Sequence, residues 1–263
     1  MARPLKVFII AGEPSGDKLG GNLMQGLSDL TKGQVEFYGV GGEMMQAAGL
    51  TSLFDMSDLT IMGLLEVIPS IPKIKARINQ TVKAAKETNA DVFITIDSPD
   101  FCLRVGKQVR LQPNPPYCIH YVAPSVWAWR PDRAAKMAKS VDHVLALLPF
   151  EPPYMEAAGM SCDFVGHPAA AEEIPSHEYI QSVLGDLNLE PSDEIISVLP
   201  GSRRAEIKRL LPVYMQAITE IRKQRPDIKF VLPAARPVLD ELNAILASGS
   251  VPIQVLDPTA FDP

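Results

Sequence analysis

Short apolar runs, each followed by a longer stretch of helical periodicity, dominate the first 165 residues and leave few folds open. The runs fall near 6–11, 35–40, 91–96, 117–122 and 143–148, with a shorter one near 163–165. The helical stretches fall near 17–31, 42–48, 72–89, 102–111, 132–139 and 151–158. Runs such as Val7-Phe-Ile-Ile-Ala11 and Val92-Phe-Ile-Thr-Ile96 do not alternate apolar with polar residues. A strand of that kind is buried on both faces, which implies a parallel sheet covered by helices on both sides. The pattern predicts an α/β, doubly wound domain.

The pattern changes after residue 166. Between Ala171 and Glu194 there are seven acidic residues and no Lys or Arg, with Pro175 and Pro191 interrupting. This reads as a connector carrying one short helix near 177–184. A second α/β pattern follows, with strands at 195–199, 229–232 and 253–256 and helices at 205–223 and 238–247, the first expected to be kinked or interrupted at Pro212. Three strands and two helices make about half of a Rossmann-type sheet. The expected organisation is therefore a Rossmann-like domain at 1–170, a connector at 171–194 and an incomplete second Rossmann-type domain at 195–263.

Composition narrows the function classes. The net charge of −6 argues against a generally nucleic-acid-binding protein. Cys102, Cys118 and Cys162 are too few and too far apart for a disulfide framework, and the four histidines are scattered, so no metal site is expected. The N-terminal apolar run is too short for a secretion signal, and Leu59–Ile74 is broken by Glu66, Pro69, Pro72 and Lys73, so it cannot span a bilayer. A cytoplasmic, reduced protein is the expectation.

In open α/β sheets, ligands bind beyond the carboxyl ends of the strands. After the first strand comes Gly12-Glu13-Pro14-Ser15-Gly16-Asp17, either a close-approach turn for a substrate or an ordinary tight turn with Asp17 capping the helix it begins. Gly39-Val-Gly-Gly42 follows the second strand and fits helix packing as well as substrate contact. After the third comes Asp97-Ser-Pro-Asp100; Asp97 suits a general base, and Asp100 suits the N-cap of the next helix. The fourth leads into Ala123-Pro-Ser-Val-Trp127-Ala-Trp129-Arg130, which holds both tryptophans of the chain. Such a loop can close over a sugar or an acyl chain, or it can pack Trp127 into the core. In the second domain, Gly201-Ser202-Arg203 opens a helix in the manner of a phosphate-binding turn.

Several of these blocks resemble the lipid-A-disaccharide synthase family. They are Ala11–Asp17, Gly39–Gly42, Ile61–Val67, Ile96–Phe101, His120–Arg130, Leu148–Glu151, Gly166–Pro168 and Leu199–Arg203, in the family's order, with the Ser-Val-Trp-Ala-Trp block the most specific. The resemblance implies a GT-B-like fold and transfer of 2,3-diacylglucosamine from its UDP derivative to 2,3-diacylglucosamine 1-phosphate with inversion. It implies Asp97 as the base, Glu13, Ser15, Gly16, Trp127 and Arg130 as substrate-binding residues, and Gly201, Ser202 and Arg203 as contacts to the UDP phosphates. Cofactor and metal are not expected. Family members continue beyond the position of Pro263, and that region is expected to complete the donor site and to support a homodimer. Other readings are a further GT-B enzyme, such as a UDP-N-acetylglucosamine 2-epimerase-like protein, and a non-catalytic acyl-sugar-binding module.

Acylated substrates call for a membrane-facing surface. Leu65, Val67, Ile68 and Ile71 are the candidates, with Pro69 and Pro72 expected to prevent one regular helix and Lys73, Lys75 and Arg77 suited to anionic lipid. The expected location is the cytoplasm, with peripheral attachment to the inner membrane. The same apolar residues also fit packing on the sheet.

Overall fold

The computed structural model describes residues 3–59, 64–170, 174–202, 204–235, 238–247 and 252–257, with the backbone alone described over 64–70. The chain forms two compact units, Met1–Glu172 and Glu173–Pro263.

The first unit is built on a seven-stranded sheet. Its strands are β1 (Leu5–Ala11), β2 (Val35–Val40), β3 (Thr51–Ser52), β4 (Val92–Ile96), β5 (Tyr117–Tyr121), β6 (His143–Ala146) and β7 (Ser161–Phe164). Their order is β3-β2-β1-β4-β5-β6-β7, and every pairing is parallel. The sequence runs outward in one direction from β1 and then returns to lay β4 on its other side, so the topological switch point lies between β1 and β4.

The continuous apolar runs are explained by burial on both faces. Val7, Ile9 and Ala11 face α1 (Pro14–Leu30) and α2 (Glu43–Ala47) and pack with Met24, Met45, Ile94 and Ile96. Phe8 and Ile10 point the other way, toward α3 (Leu64–Thr88) and α4 (Pro99–Val109), among Val82, Phe93, Val105 and Val109. The Phe8 and Phe93 rings stack with centroids 5.9 Å apart. Each fully buried side chain of this kind contributes about 1.5–3 kcal/mol.

Short helices α5 (Asp132–Met137) and α6 (Pro152–Glu156) cover the β6 side with Met137, Met155 and Met160. Close approach of α1 depends on Gly20, while Gly16 one turn earlier leaves room for ordinary contact. A Cβ on Gly16 would lie 3.5 Å from the Ile96 carbonyl oxygen, and one on Gly20 would lie 2.5 Å from the Met45 sulfur.

Two expectations are corrected here. Pro69 and Pro72 do not break the chain into pieces, because α3 runs as one helix from Leu64 to Thr88. Each proline removes a single backbone donor, and the remaining ladder with its packed C-terminal half carries the helix through. Nor do Lys73 and Arg77 present free charge: both pair with Asp58 at 2.5 Å, and Arg77 also lies over the Phe54 ring at 4.5 Å.

The second unit holds α7 (His177–Asp186), β8 (Ile195–Ser197), α8 (Arg204–Gln224), β9 (Lys229–Pro233), α9 (Leu239–Ala247) and β10 (Gln254–Leu256). Its parallel sheet has the order β10-β9-β8, one half of a Rossmann sheet. Ile207, Leu211 and Ile218 on α8 bury against Phe230 and Leu232. Helix α8 continues through Pro212, where one donor is lost and the apolar face stays intact.

Candidate active site at the sheet switch point

Parallel pairing sets the ends of β1 and β4 side by side, with Ala11 opposite Ile96. The next residues are Gly12 and Asp97, so the two loops leave the sheet together at the switch point. The loops interlock: a Cβ on Gly12 would lie 2.6 Å from the Ser98 hydroxyl oxygen.

Asp97 is half-buried, and its N–H donates to the Tyr121 carbonyl at 3.0 Å, continuing the ladder to β5 for one residue. It then turns sharply, with φ +49° at Asp97 and +42° at Ser98. Val122, the corresponding residue after β5, has φ +81°. Left-handed backbone is costly for a β-branched residue, and consecutive outliers mark places where the fold holds a loop for a purpose. Burial first, and the Asp97 charge second, push the Cys102 thiol up, which leaves it an inert core residue.

Glu13 is half-buried at the N-cap of α1, Ser15 is exposed in its first turn, and Gly16 is buried against Ala11 and Ile96. The helix therefore begins at Pro14, three residues before Asp17. Asp17 does not cap its own helix. Its buried carboxylate accepts from the backbone N–H groups of Gly42 (2.7 Å), Met44 (2.9 Å) and Met45 (3.1 Å), capping α2 instead. Asp100 is likewise not an N-cap: Ser98 takes that position on α4, and Asp100 is exposed in the first turn. Pro99 at the first helical position sets this boundary, because its missing N–H costs nothing there.

The loop after β5 keeps its tryptophans outside. Trp127 is 44% exposed and Trp129 56%, whereas Val126 between the β5 end and Trp127 is buried. The core option for Trp127 is thus excluded; Val126 fills that space. Trp127 meets Phe150 edge-on at 5.2 Å. The Arg130 guanidinium lies over the Trp129 ring at 4.1 Å and that of Arg133 at 5.9 Å.

Deeper in β5, His120 is fully buried with Nδ1 2.8 Å from the Thr95 hydroxyl, and burial pushes its pKa down to about 4. It is a neutral, structural imidazole.

In the second unit, Gly201 has φ +113° and leads with exposed Ser202 into α8. The Ser202 N–H donates to the Glu206 carboxylate at 3.2 Å, and that side chain fills the space a Cβ on Gly201 would need. Glu206 was not foreseen; its spacing of four from Ser202 differs from the three of a capping box. Arg203 lies outside the described residues. Of the apolar candidates, Leu65, Val67 and Ile68 have side chains outside the description, Ile71 is 53% exposed, and Ile74 packs on the core beside Ile78. Among the described residues no group of His, Cys, Asp and Glu is placed to hold a metal, and no helix is long and apolar enough to cross a membrane.

Comparison with known proteins adds to this geometry. Residues 7–260 match the family described as lipid-A-disaccharide synthetase. A lipid-A-disaccharide synthase of Ruegeria pomeroyi is 49% identical over 261 residues, covering 99% of this chain and 64% of the relative. One from Rhodospirillum centenum is 46% identical over 252 residues, covering 95% and 62%. The chain thus spans somewhat less than two thirds of the length of these relatives. Among solved structures, a UDP-GlcNAc 2-epimerase from Neisseria meningitidis, bound to UDP-GlcNAc, aligns with a TM-score of 0.64 at 12% identity, covering 98% of this chain and 72% of that one. The Methanocaldococcus jannaschii UDP-GlcNAc 2-epimerase gives 0.59 at 14% identity, covering 97% and 74%. At that identity the likeness is one of fold, the GT-B-like α/β architecture of two Rossmann-type units.

Proposed function

The chain belongs to the lipid-A-disaccharide synthetase family, and on that premise we propose that the whole protein is an inverting glycosyltransferase. It joins UDP-2,3-diacylglucosamine to 2,3-diacylglucosamine 1-phosphate, giving the β-1,6-linked disaccharide 1-phosphate and UDP. The observation that best supports this reading is a carboxylate, Asp97, at the topological switch point of a parallel sheet, on a backbone turned into the left-handed region.

The reaction needs two things from the protein. A base takes the proton from the acceptor 6-hydroxyl as its oxygen attacks the donor's anomeric carbon, and positive charge stabilises the departing UDP. Asp97 is the base. Glu13, Ser15 and Gly16 line the acceptor side, and Trp127 with Arg130 covers the sugar. Gly201, Ser202 and Arg203 hold the UDP phosphates, with the Ser202 N–H passing from the Glu206 carboxylate to a phosphate oxygen and the Arg203 guanidinium balancing the charge. The α-linked donor and β-linked product require a single in-line displacement, so no covalent sugar–enzyme intermediate forms.

Since both substrates carry acyl chains, the enzyme works at the inner-membrane surface from the cytoplasmic side, using the N-terminal part of α3. The homologous chains at 46–49% identity favour this activity over an epimerase, with which the likeness is 12–14% identity. The test is UDP release by the purified whole protein. Release should require both acylated sugars together. UDP-sugar consumption that is independent of the acylated acceptor would point to an epimerase or hydrolase, and no turnover with either substrate present would favour a binding module.

A further inference from the structure

We propose that Arg130 and Arg133, gathered at the exposed indole of Trp129, form the receptor for the phosphomonoester of the acceptor sugar. This rests on the glycosyltransferase reading above and assigns a chemical group to one part of that site. Two guanidinium groups lie against one exposed indole, Arg130 at 4.1 Å from its ring centre and Arg133 at 5.9 Å. Like charges brought to one ring repel each other, and among the described residues no carboxylate is within ion-pair distance of either. The nearest acid in sequence, Asp132, pairs with Lys136, and its charge acts on Arg130 only from beyond ion-pair distance.

A guanidinium held against an aromatic ring can still turn its N–H edge outward, and that planar fork receives phosphate oxygens in pairs. The positive φ of Arg130, +53°, ends the loop and aims the chain into α5, whose Arg133 N–H returns to the Arg130 carbonyl at 3.0 Å. The two arginines are thus tied to each other through the backbone and meet at Trp129. The loop starts from the end of β5, the strand whose Tyr121 carbonyl holds the Asp97 N–H, so the same sheet edge carries the base. A dianionic group relieves the repulsion between the arginines, and the neighbouring Trp127 offers an exposed indole to the apolar face of a sugar ring.

The whole protein with Arg130→Gln and Arg133→Gln together should show a KM for the phosphorylated acceptor at least about ten-fold higher, with the KM for the UDP-sugar little changed. With an acceptor that lacks the 1-phosphate, that difference between the variant and the unaltered protein should disappear. An equal penalty on both acceptors, or equal use of both acceptors by the unaltered protein, overturns the assignment. Vesicles of phosphatidylglycerol and phosphatidylcholine form a second arm. Loss of sedimentation with them, at unchanged acceptor KM, would give the pair to a lipid surface instead. A third measurement does not depend on turnover. Both tryptophans of the chain sit in this loop, so their fluorescence reports on it directly. Glucosamine 1-phosphate should produce a saturable change that glucosamine does not, and the double variant should abolish it. No response to glucosamine 1-phosphate refutes the receptor even if the transferase reading stands, and a response without any turnover sinks the transferase reading alone.

Discussion

Left-handed backbone is a cost that only the surroundings of a residue can sustain, and Asp97 and Ser98 meet it in succession. Asp and Asn tolerate that region better than other side chains because they are short and polar. Asp97→Asn should therefore keep the turn and remove only the base. In the whole protein we expect turnover to fall by roughly 100-fold or more, with UDP-sugar affinity nearly kept. Near-normal turnover would remove Asp97 from the mechanism and direct attention to Asp100 or Glu13. Asp17 acts in a different way, through structure. Its carboxylate satisfies three backbone donors at the start of α2, and hydrogen bonds to a buried charge are worth about 1.5–3 kcal/mol each before the neighbours relax. Asp17→Ala should cost about 3 kcal/mol in denaturant unfolding, and a loss below about 1 kcal/mol would show that water replaces it freely.

Among the elements, α3 joins two environments. Its C-terminal half buries Ile78, Val82 and Ala85 on the sheet, while Ile71 stands 53% exposed. Asp58 fastens the junction by pairing with Lys73 and Arg77; Lys73 first, and Arg77 after it, hold the Asp58 carboxyl below its usual range. Replacing Leu65, Val67, Ile68 and Ile71 together by Ser should release the protein from anionic vesicles and leave its melting temperature unchanged. Unfolding of the quadruple variant would place those side chains in the core. The elements themselves were largely legible, because β1 and β4 are buried on both faces and carry no strict polar alternation to confuse the period. Strand β3 was not, since two residues, Thr51 and Ser52, have no period at all. The same limit explains Asp17 and Lys73. Sequence shows that each suits a cap or an ion pair, but its partner lies 25 residues ahead in one case and 15 behind in the other. Only the fold brings those partners together. Asp97 at a strand end was legible for the opposite reason, because its place follows from local chain order.

For the molecule as a whole, acid exposes two separate weaknesses. Buried His120 has its pKa lowered to about 4, against an ordinary value of 6.5, because desolvation penalises the imidazolium. The unfolded chain binds that proton between pH 6.5 and 4 and the folded chain does not, so its contribution is full above pH 6.5 and declines as pH falls toward 4. The loss is about 1.4 kcal/mol per pH unit, about 3 kcal/mol in all. The carboxylates of Asp91 and Asp142, lowered by Arg3 and by Arg110, add their stabilisation above the usual carboxylate range and lose it only at still lower pH. Unfolding free energies measured from pH 7 to 4 should slope accordingly, and His120→Asn should flatten that window. An unchanged slope in the variant would show that another group titrates there. The central place of β1 has a consequence for synthesis as well. One of its edges pairs with β2 soon after both leave the ribosome, but the other waits for β4. Roughly 50 residues separate Val40 from Val92, about 3–10 s of translation, during which an apolar edge has no partner. Nascent chains halted in that interval should depend on chaperones, and those halted after β4 has emerged should depend on them less.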